Sequence, residues 1–389
     1  MEPLLIRENS RHRAALNDLA VDLAARSSGF RQSLPKGVPK ALVDLVRLMN
    51  CYYSNLIEGH NTHPIDIERA LKDDYSTDAR KKNLQMEAKA HIKVQKWIDD
   101  GGLSGRATTK DGIIEMHRRF CEDLPKDLLY VENPITGERL PVMPGGLRTH
   151  DVKVGRHVPV APGSLARFLD RFEKAYTGLG LSDAIIALAG AHHRFVWIHP
   201  FLDGNGRVAR LMSHAMLLEI LDTGGVWSVS RGLARDENSY KRHLMACDAP
   251  RRNDLDGRGH LSEEALAEFT RYFLETCIDQ IKFMNSLVQP ERLRNRILSW
   301  VESESQAGKL STKSGTVLEA ILYRRELPRG EVAGIIGTGE RQASRVISAL
   351  VEKEAVTSES ARAPLRLAFS ARLASQWMPG LFPERFSEQ

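Results

Sequence analysis

Along most of this 389-residue chain, apolar residues recur at three- and four-residue intervals, the spacing that puts them on one face of an α-helix. The clearest case is 39–58. It opens with Pro39 at a first-turn position and carries Leu42, Leu45, Val46, Met49, Tyr53 and Leu56 on its stripe. Segments 83–99, 111–123, 164–177, 182–198, 206–221 and 262–285 repeat the pattern. The stretch 128–162 breaks it, being rich in Gly, Pro and β-branched residues, and Asp151-Val152-Lys153-Val154 alternates polar with apolar. That composition predicts a loop carrying a short β-hairpin, laid over a helical body. The polar run 302–315 reads as a linker, followed by a helix over 316–326. After it come a short helix, a tight glycine turn, a second helix and two strands, the order of a winged helix-turn-helix. The expected fold is mainly α. It comprises an N-terminal helical region (1–105), a core (106–290) and a linker with a winged helix-turn-helix domain (291–389).

Composition narrows the class. Hydrophobic residues make up 42% and charged residues 27%, ordinary for a globular protein with a real core. A net charge of +5 permits an anionic ligand but does not mark a nucleic-acid coat. From residue 309 onward, 12 basic residues face 9 acidic ones. The presumed recognition helix, 340–353, offers only Arg341, Arg345 and Lys353 against Glu340 and Glu352. DNA as a partner is therefore allowed but not signalled, and a protein-contact or dimerisation module fits at least as well. No apolar run approaches the ~20 residues that span a bilayer, so no membrane partner is expected. The start, MEPLLIRENSRHRAAL, turns charged too early for a signal peptide. Cys51, Cys121, Cys247 and Cys277 lie far apart without paired spacing, which argues against a zinc ribbon or disulfide scaffold and for a reducing, cytoplasmic setting.

Chemistry concentrates in Ile198-His199-Pro200-Phe201-Leu202-Asp203-Gly204-Asn205-Gly206-Arg207-Val208-Ala209-Arg210. Pro200 discourages helix continuation and leaves the His199 imidazole at a helix terminus. Asp203-Gly204-Asn205-Gly206 is a turn with two residues free to adopt positive φ. A second helix then starts near Gly206, and its unpaired N–H groups form an anion site. Arg207 and Arg210 share a face above it and suit a polyphosphate. Asp203 is a hard oxygen ligand suited to Mg²⁺ bridging phosphates. His199 is the one group here whose ordinary pKa, ~6.5, makes it a base at neutral pH. A capped helix-turn-helix with arginines paired to surface acids is the bland alternative, which so dense a set of functional types disfavours.

The stretch resembles the signature His-x-Phe-x-[Asp/Glu]-Gly-Asn-Gly-Arg-x-x-Arg of the Fic family and matches every fixed position. Upstream, Gly146-Leu147-Arg148-Thr149 and Val152-Lys153-Val154-Gly155 are similar to the family's flap, about 140–160; downstream the resemblance runs through 256–284. It implies a Fic-type helical core that transfers AMP from ATP to a Tyr, Thr or Ser hydroxyl of a protein, releasing pyrophosphate. His199 would be the base, and Asp203 would hold Mg²⁺ on the α- and β-phosphates. Gly204, Asn205 and Gly206 would form the anion hole, with Arg207 and Arg210 on the outer phosphates. The flap residues Lys153, Val154, Gly155, Arg156 and His157 would pair with the target's backbone as an added strand. Tyr240 falls where the family often places a tyrosine near the adenine, although a helix-packing tyrosine is nearly as good a reading. Relatives that move UMP, phosphate or phosphocholine keep the donor open. Self-modification and a homodimer are compatible with the sequence and fixed by no feature of it.

A second motif, Ser54-Asn55-Leu56-Ile57-Glu58-Gly59, ends the helix at 39–58, with Gly59 as a natural stop. Glu58 opposes the helix dipole there, a mild misplacement that a positive partner would resolve. Alone it reads as an exposed glutamate. Beside the Fic resemblance it is similar to the inhibitory signature [Ser/Thr]-x-x-x-Glu-[Gly/Asn], which implies that Glu58 pairs with Arg210 and blocks the γ-phosphate. In some relatives this glutamate supports AMP removal, so a de-AMPylase is an alternative, as is a winged-helix regulator using the core as a nucleotide sensor. His192, on the apolar stripe of 182–198, reads as a hydrogen-bonded core histidine. The polar loop 252–260 has Arg252 where a calcium loop needs a carboxylate, and reads as a loop capped by Ser262.

Overall fold

Helix follows helix along the chain, as the apolar spacing requires. The structure, a computed structural model, describes residues 1–132 and 137–383. Residues 133–136 of the expected 128–162 loop and 384–389 of the expected C-terminal domain lie outside these. The first half comprises α1 (Arg13–Ser33), α2 (Pro39–Ile57), α3 (Pro64–Leu71), α4 (Ala79–Asp99), α5 (Lys110–Glu122), the strands β1 (Tyr130–Glu132) and β2 (Arg139–Pro141), and α6 (Leu165–Tyr176). Next come α7 (Leu181–Ile198), α8 (Asn205–Leu221), α9 (Val229–Arg235), α10 (Glu237–Ala246), α11 (Glu263–Val288) and α12 (Pro290–Gln306). The chain continues as α13 (Ser314–Tyr323), α14 (Val332–Ile335), α15 (Glu340–Glu352), β3 (Val356–Thr357), β4 (Arg366–Leu367) and α16 (Ala371–Trp377).

α7 and α8 pack along each other at the centre, with α11, α6 and α1 around α7 and α5, α4 and α2 against α8. Ile185, Leu188, Ala189 and Phe195 of α7 and Val208, Leu211 and Met212 of α8 are buried in that seam. α2 ends in a Schellman arrangement: Gly59 N–H donates to Leu56 O at 3.0 Å and His60 N–H to Asn55 O at 2.9 Å. Gly59, at φ +81°, supplies the left-handed residue this motif requires. α11 is capped by Ser262, whose Oγ accepts from Ala265 N–H at 3.0 Å. Asp256 of the preceding loop accepts from Ser262 Oγ and from Glu264 N–H.

Two expectations need correction. The 302–315 run is not a linker throughout, because α12 continues to Gln306 and α13 begins at Ser314. The polar residues of its first part lie on the outer face of a helix whose Leu293, Ile297, Trp300 and Val301 are buried. The alternation at 151–154 does not make a strand either. The two-stranded ribbon lies upstream, with Tyr130 opposite Pro141 and Glu132 opposite Arg139. Only a single antiparallel bridge, Val154 with His157, forms in the flap.

One hydrophobic core runs from Leu4 to Leu381. α13 to β4 follow the order helix, short helix, turn, helix and two antiparallel strands, Val356 pairing with Leu367. The C-terminal part of the chain packs back onto both ends of α2. Near the start, Gly37 lies so close to the end of α13 that an added Cβ would meet Ile321 O at 2.2 Å. Near the end, Tyr53 O–H donates to Leu381 O at 2.9 Å, and the Tyr52 and Phe382 rings meet edge-on at 5.6 Å.

Trp377 is fully buried, with its ring 5.3 Å from Trp300 and 5.8 Å from Phe369. Truncation leaves a cavity, so Trp377→Ala is expected to cost about 3–5 kcal/mol, measured as a loss of unfolding free energy in urea.

Candidate active site

Two helix ends meet in the loop 199–204. The last carbonyls of α7 lack helical partners, as do the first N–H groups of α8. At the α7 end, His199 adopts φ +51°, ψ +61° and its N–H donates to Phe195 O at 3.0 Å. Its Nδ1 lies 3.3 Å from Val196 O. A carbonyl can only accept, so Nδ1 carries the proton and Nε2 keeps its lone pair. Burial pushes the His199 pKa down to about 4, with the Val196 bond opposing and Arg148 and His157 adding to the fall. The imidazole is therefore neutral at pH 7 and able to accept a proton.

The loop is braced from inside. Asn205 Nδ2 donates to Phe201 O at 2.8 Å, and its Oδ1 accepts from Phe201 N–H at 3.0 Å, so this side chain shapes the turn. Gly204, at φ +80°, provides the left-handed residue before α8. From α5, His117 stacks on Phe201 at 3.8 Å, its Nδ1 accepts from Gly145 N–H at 2.9 Å, and its Nε2 lies 3.2 Å from Asp203 O. The spacing rules do not single out His117; its signal is a polar residue inside the buried stripe Ile113, Met116, Phe120.

At the α8 end, Arg210 is buried and held from several sides. Its Nε donates to Ser54 Oγ at 2.8 Å and its Nη2 to Ser54 O at 3.1 Å and to Glu58 Oε1 at 2.5 Å. The Glu58 carboxylate lies directly on the first turn of α8, where a Cβ added to Gly206 would come within 2.4 Å of Oε1. Burial works to raise the Glu58 pKa, but Arg210 and Arg207 outweigh it and hold the carboxyl below its ordinary value. Tyr240 is buried behind Arg210, its hydroxyl 2.7 Å from His192 Nε2. His192 Nδ1 in turn lies 2.8 Å from Ser213 Oγ, which donates to Ala209 O. The Tyr240 phenol is pushed up to about 12, chiefly by burial.

Arg207 points away from Arg210. Its guanidinium pairs with Glu87 of α4, lies 3.0 Å from His60 Nδ1, and sits over the Phe120 ring at 5.5 Å. Three residues along an α-helix leave an offset of about 60°, enough to send Arg210 towards α2 and Arg207 towards α4. Arg207 therefore braces helices, and of these two arginines it is Arg210 that lines the cavity.

That cavity, about 1110 Å³, is lined by Glu58, Val154, Gly155, Arg156, His157, His199, Gly206, Arg210 and Tyr240. Its size is slightly above the range usual for small-molecule sites, about 300–1,000 Å³. Lys241, Arg242 and Met245 of α10, which the motif did not mark, complete one side. Ser54, Lys153, Asp203, Gly204, Asn205 and Arg207 do not line it. The flap tip is a tight turn with Gly155 at φ +60°, and its His157 Nε2 donates to Trp197 O at 2.8 Å. Asp203 is exposed, and its carboxylate makes no hydrogen bond or ion pair with any described residue. No group of three or more metal-capable side chains occurs among the described residues.

Residues 107–217 match the Fic/DOC family. This chain carries a Fic domain. Curated relatives include the protein adenylyltransferase Fic of Drosophila persimilis, 30% identical over 169 residues, which are 43% of this chain and 30% of that protein. Its counterpart in Drosophila erecta is 29% identical over 169 residues, 43% of this chain and 31% of that protein. The chain thus spans about a third of the length of the curated relatives it matches. A solved structure of a Fic family protein from Desulfovibrio desulfuricans G20 superposes with a TM-score of 0.50 over 90% of this chain and 96% of its own, at 16% identity, a likeness of fold. His199, Arg210 and the flap all lie within the matched segment, whereas Ser54 and Glu58 come from α2, outside it.

Burial also holds His117 and His193 at about 4 and His91 and His192 at about 3. Unfolded, each takes up a proton near pH 6.5, so between 6.5 and 4 the unfolded chain binds more protons. Stability is expected to be full above pH 6.5 and to fall steadily towards pH 4, read as the urea midpoint. A midpoint unchanged between pH 7.5 and 5 would contradict this burial of neutral imidazoles.

Proposed function

We propose that this chain is a protein adenylyltransferase that moves AMP from ATP to a Tyr, Thr or Ser hydroxyl of a protein, and that Glu58 holds it in a self-inhibited state. The observation that carries the reading is the neutral His199, its Nδ1 tied to Val196 O, facing the same cavity as the start of α8 and Arg210. The names of the curated relatives support the choice of reaction.

In this mechanism the α8 N–H groups at Gly206 and the Arg210 guanidinium hold the donor's phosphates, a helix N-terminus being a natural anion site. The flap turn at Val154–His157 offers edge backbone to an extended target segment and brings its hydroxyl to His199. His199 Nε2 takes the hydroxyl proton as the oxygen bonds to the α-phosphorus. The bond from that phosphorus to the bridging oxygen breaks, and pyrophosphate leaves with the electron pair. Positioning and charge neutralisation supply most of the rate in such transfers. Asp203, an exposed carboxylate with no hydrogen bond or ion pair to a described residue, is the side chain that would hold Mg²⁺, which commonly binds one or two carboxylates plus substrate phosphates. When bound, it would neutralise charge on the α- and β-phosphates.

Glu58 supports the inhibitory half of the proposal. Its carboxylate occupies the first turn of α8 and engages Arg210, the place and the cation that a terminal phosphate would need. The elements from α13 to β4 support a winged helix-turn-helix, and Leu381 and Phe382, which follow them, tie the C-terminal part of the chain to the inhibitory helix. This packing favours a regulatory role for it over an independent DNA-binding one.

Purified protein incubated with α-labelled ATP, Mg²⁺ and lysate proteins is expected to transfer little label. Glu58→Gly should raise labelling at least about tenfold, equivalent to removing some 1.4 kcal/mol of competition, and His199→Ala in that background should abolish it. Equal labelling by wild type and Glu58→Gly would end the autoinhibition proposal. Absence of label from every form would end the adenylyl-transfer reading and direct attention to another donor or to AMP removal.

A further inference from the structure

We infer that Arg148 is the positioning residue that sets the catalytic base and frames the flap, an assignment that rests on the adenylyl-transfer reading for its kinetic part. The inference starts from a strained residue. His199 is a non-glycine in the left-handed region, a conformation that persists only where its surroundings fix it. Arg148 supplies that fixing. Its Nε donates to His199 O at 2.7 Å and its Nη2 to Ile198 O at 3.5 Å, while its own N–H donates to Pro200 O at 2.9 Å.

The other edge of the same guanidinium belongs to the flap. Nη1 donates to His150 O at 3.0 Å, and Nη2 also donates to Val160 O. Residues 150 and 160 are the entry and exit of the segment whose tip is the Gly155 turn. One planar fork thus gathers four carbonyls from the end of α7 and both feet of the flap. Arg148 is buried and has no carboxylate partner within ion-pair distance among the described residues. Its charge faces the negative end of α7 instead, where a cation is favoured.

The consequence is a specific ring pose. With the His199 carbonyl held by Nε, the side chain turns so that Nδ1 reaches Val196 O, which leaves Nε2 as the proton acceptor. Lysine carries one point of donation and cannot reproduce the fork. Arg148 therefore acts through His199 and touches neither donor nor target.

The test uses the full chain with Glu58→Gly, adding Arg148→Lys or Arg148→Ala. The first readout is the His199 tautomer, by two-bond ¹H–¹⁵N correlation in protein labelled at histidine, the signal being assigned by its loss in His199→Ala. The parent should show the Nδ1–H form, and Arg148→Lys should shift it to a mixture. The second readout is kinetic. kcat should fall about 100-fold, the size expected for a group misplaced by about 1 Å, while KM for ATP moves less than about threefold. Methylguanidinium added to Arg148→Ala should restore part of kcat. An unchanged tautomer together with kcat within threefold of the parent in Arg148→Lys would overturn the assignment. If Arg148→Ala fails to fold, Arg148→Lys carries the test alone. If the parent itself transfers no label, the proposed reaction fails, and the tautomer still decides whether Arg148 sets the base.

Discussion

Everything at this site depends on two helix ends of opposite polarity being brought together by a six-residue turn. The C-terminus of α7 presents unpaired carbonyls and a partial negative charge, and the N-terminus of α8 presents unpaired N–H groups and a partial positive one. The carbonyl end is closed by side chains that also do chemistry or frame it: His199 on Val196 O, His157 on Trp197 O, Arg148 on the two that follow. The amide end is met by a carboxylate from α2. In the proposed reaction, proton acceptance and anion binding both follow from how a helix break is satisfied.

That arrangement explains why one glutamate can govern the proposed reaction. Glu58 supplies the charge that the start of α8 and Arg210 attract, and it arrives on a helix stop fixed by Gly59. Arg210 cannot turn away from it, being held by Ser54 and backed by Tyr240, while Arg207 is committed to Glu87. The contacts of Tyr52 and Tyr53 with Phe382 and Leu381 fasten the last turns of α2 to the C-terminal part of the chain. Release of Glu58 therefore involves more of the molecule than one ion pair.

The helices of the core are legible because large apolar side chains mark their stripes, as in α2, α7 and α11. α1 escapes this reading since Ala20 and Ser27 occupy part of its buried face and weaken the contrast. The C-terminal half of α12 is hidden by its polar outer face. The turn at 199–204 is legible in outline, because Pro200 and Gly204 restrict and free the backbone in known ways, but Gly206 lies within α8 and the second left-handed residue is His199, which no spacing rule marks. The direction of Arg207 is not, since it depends on Glu87 and His60, distant in sequence. Arg148 stands within the flap resemblance, but its grip on four carbonyls follows only from the fold.

The central claim is that Glu58 and the terminal phosphates of the donor compete for one anion site at the start of α8. Calorimetric titration of wild type and Glu58→Gln with ATP and with AMP addresses this directly. Glutamine keeps the size of the side chain and removes its charge. The account predicts ATP bound at least about tenfold more tightly by Glu58→Gln, with AMP affinity nearly unchanged. Equal ATP affinity in the two proteins would contradict it.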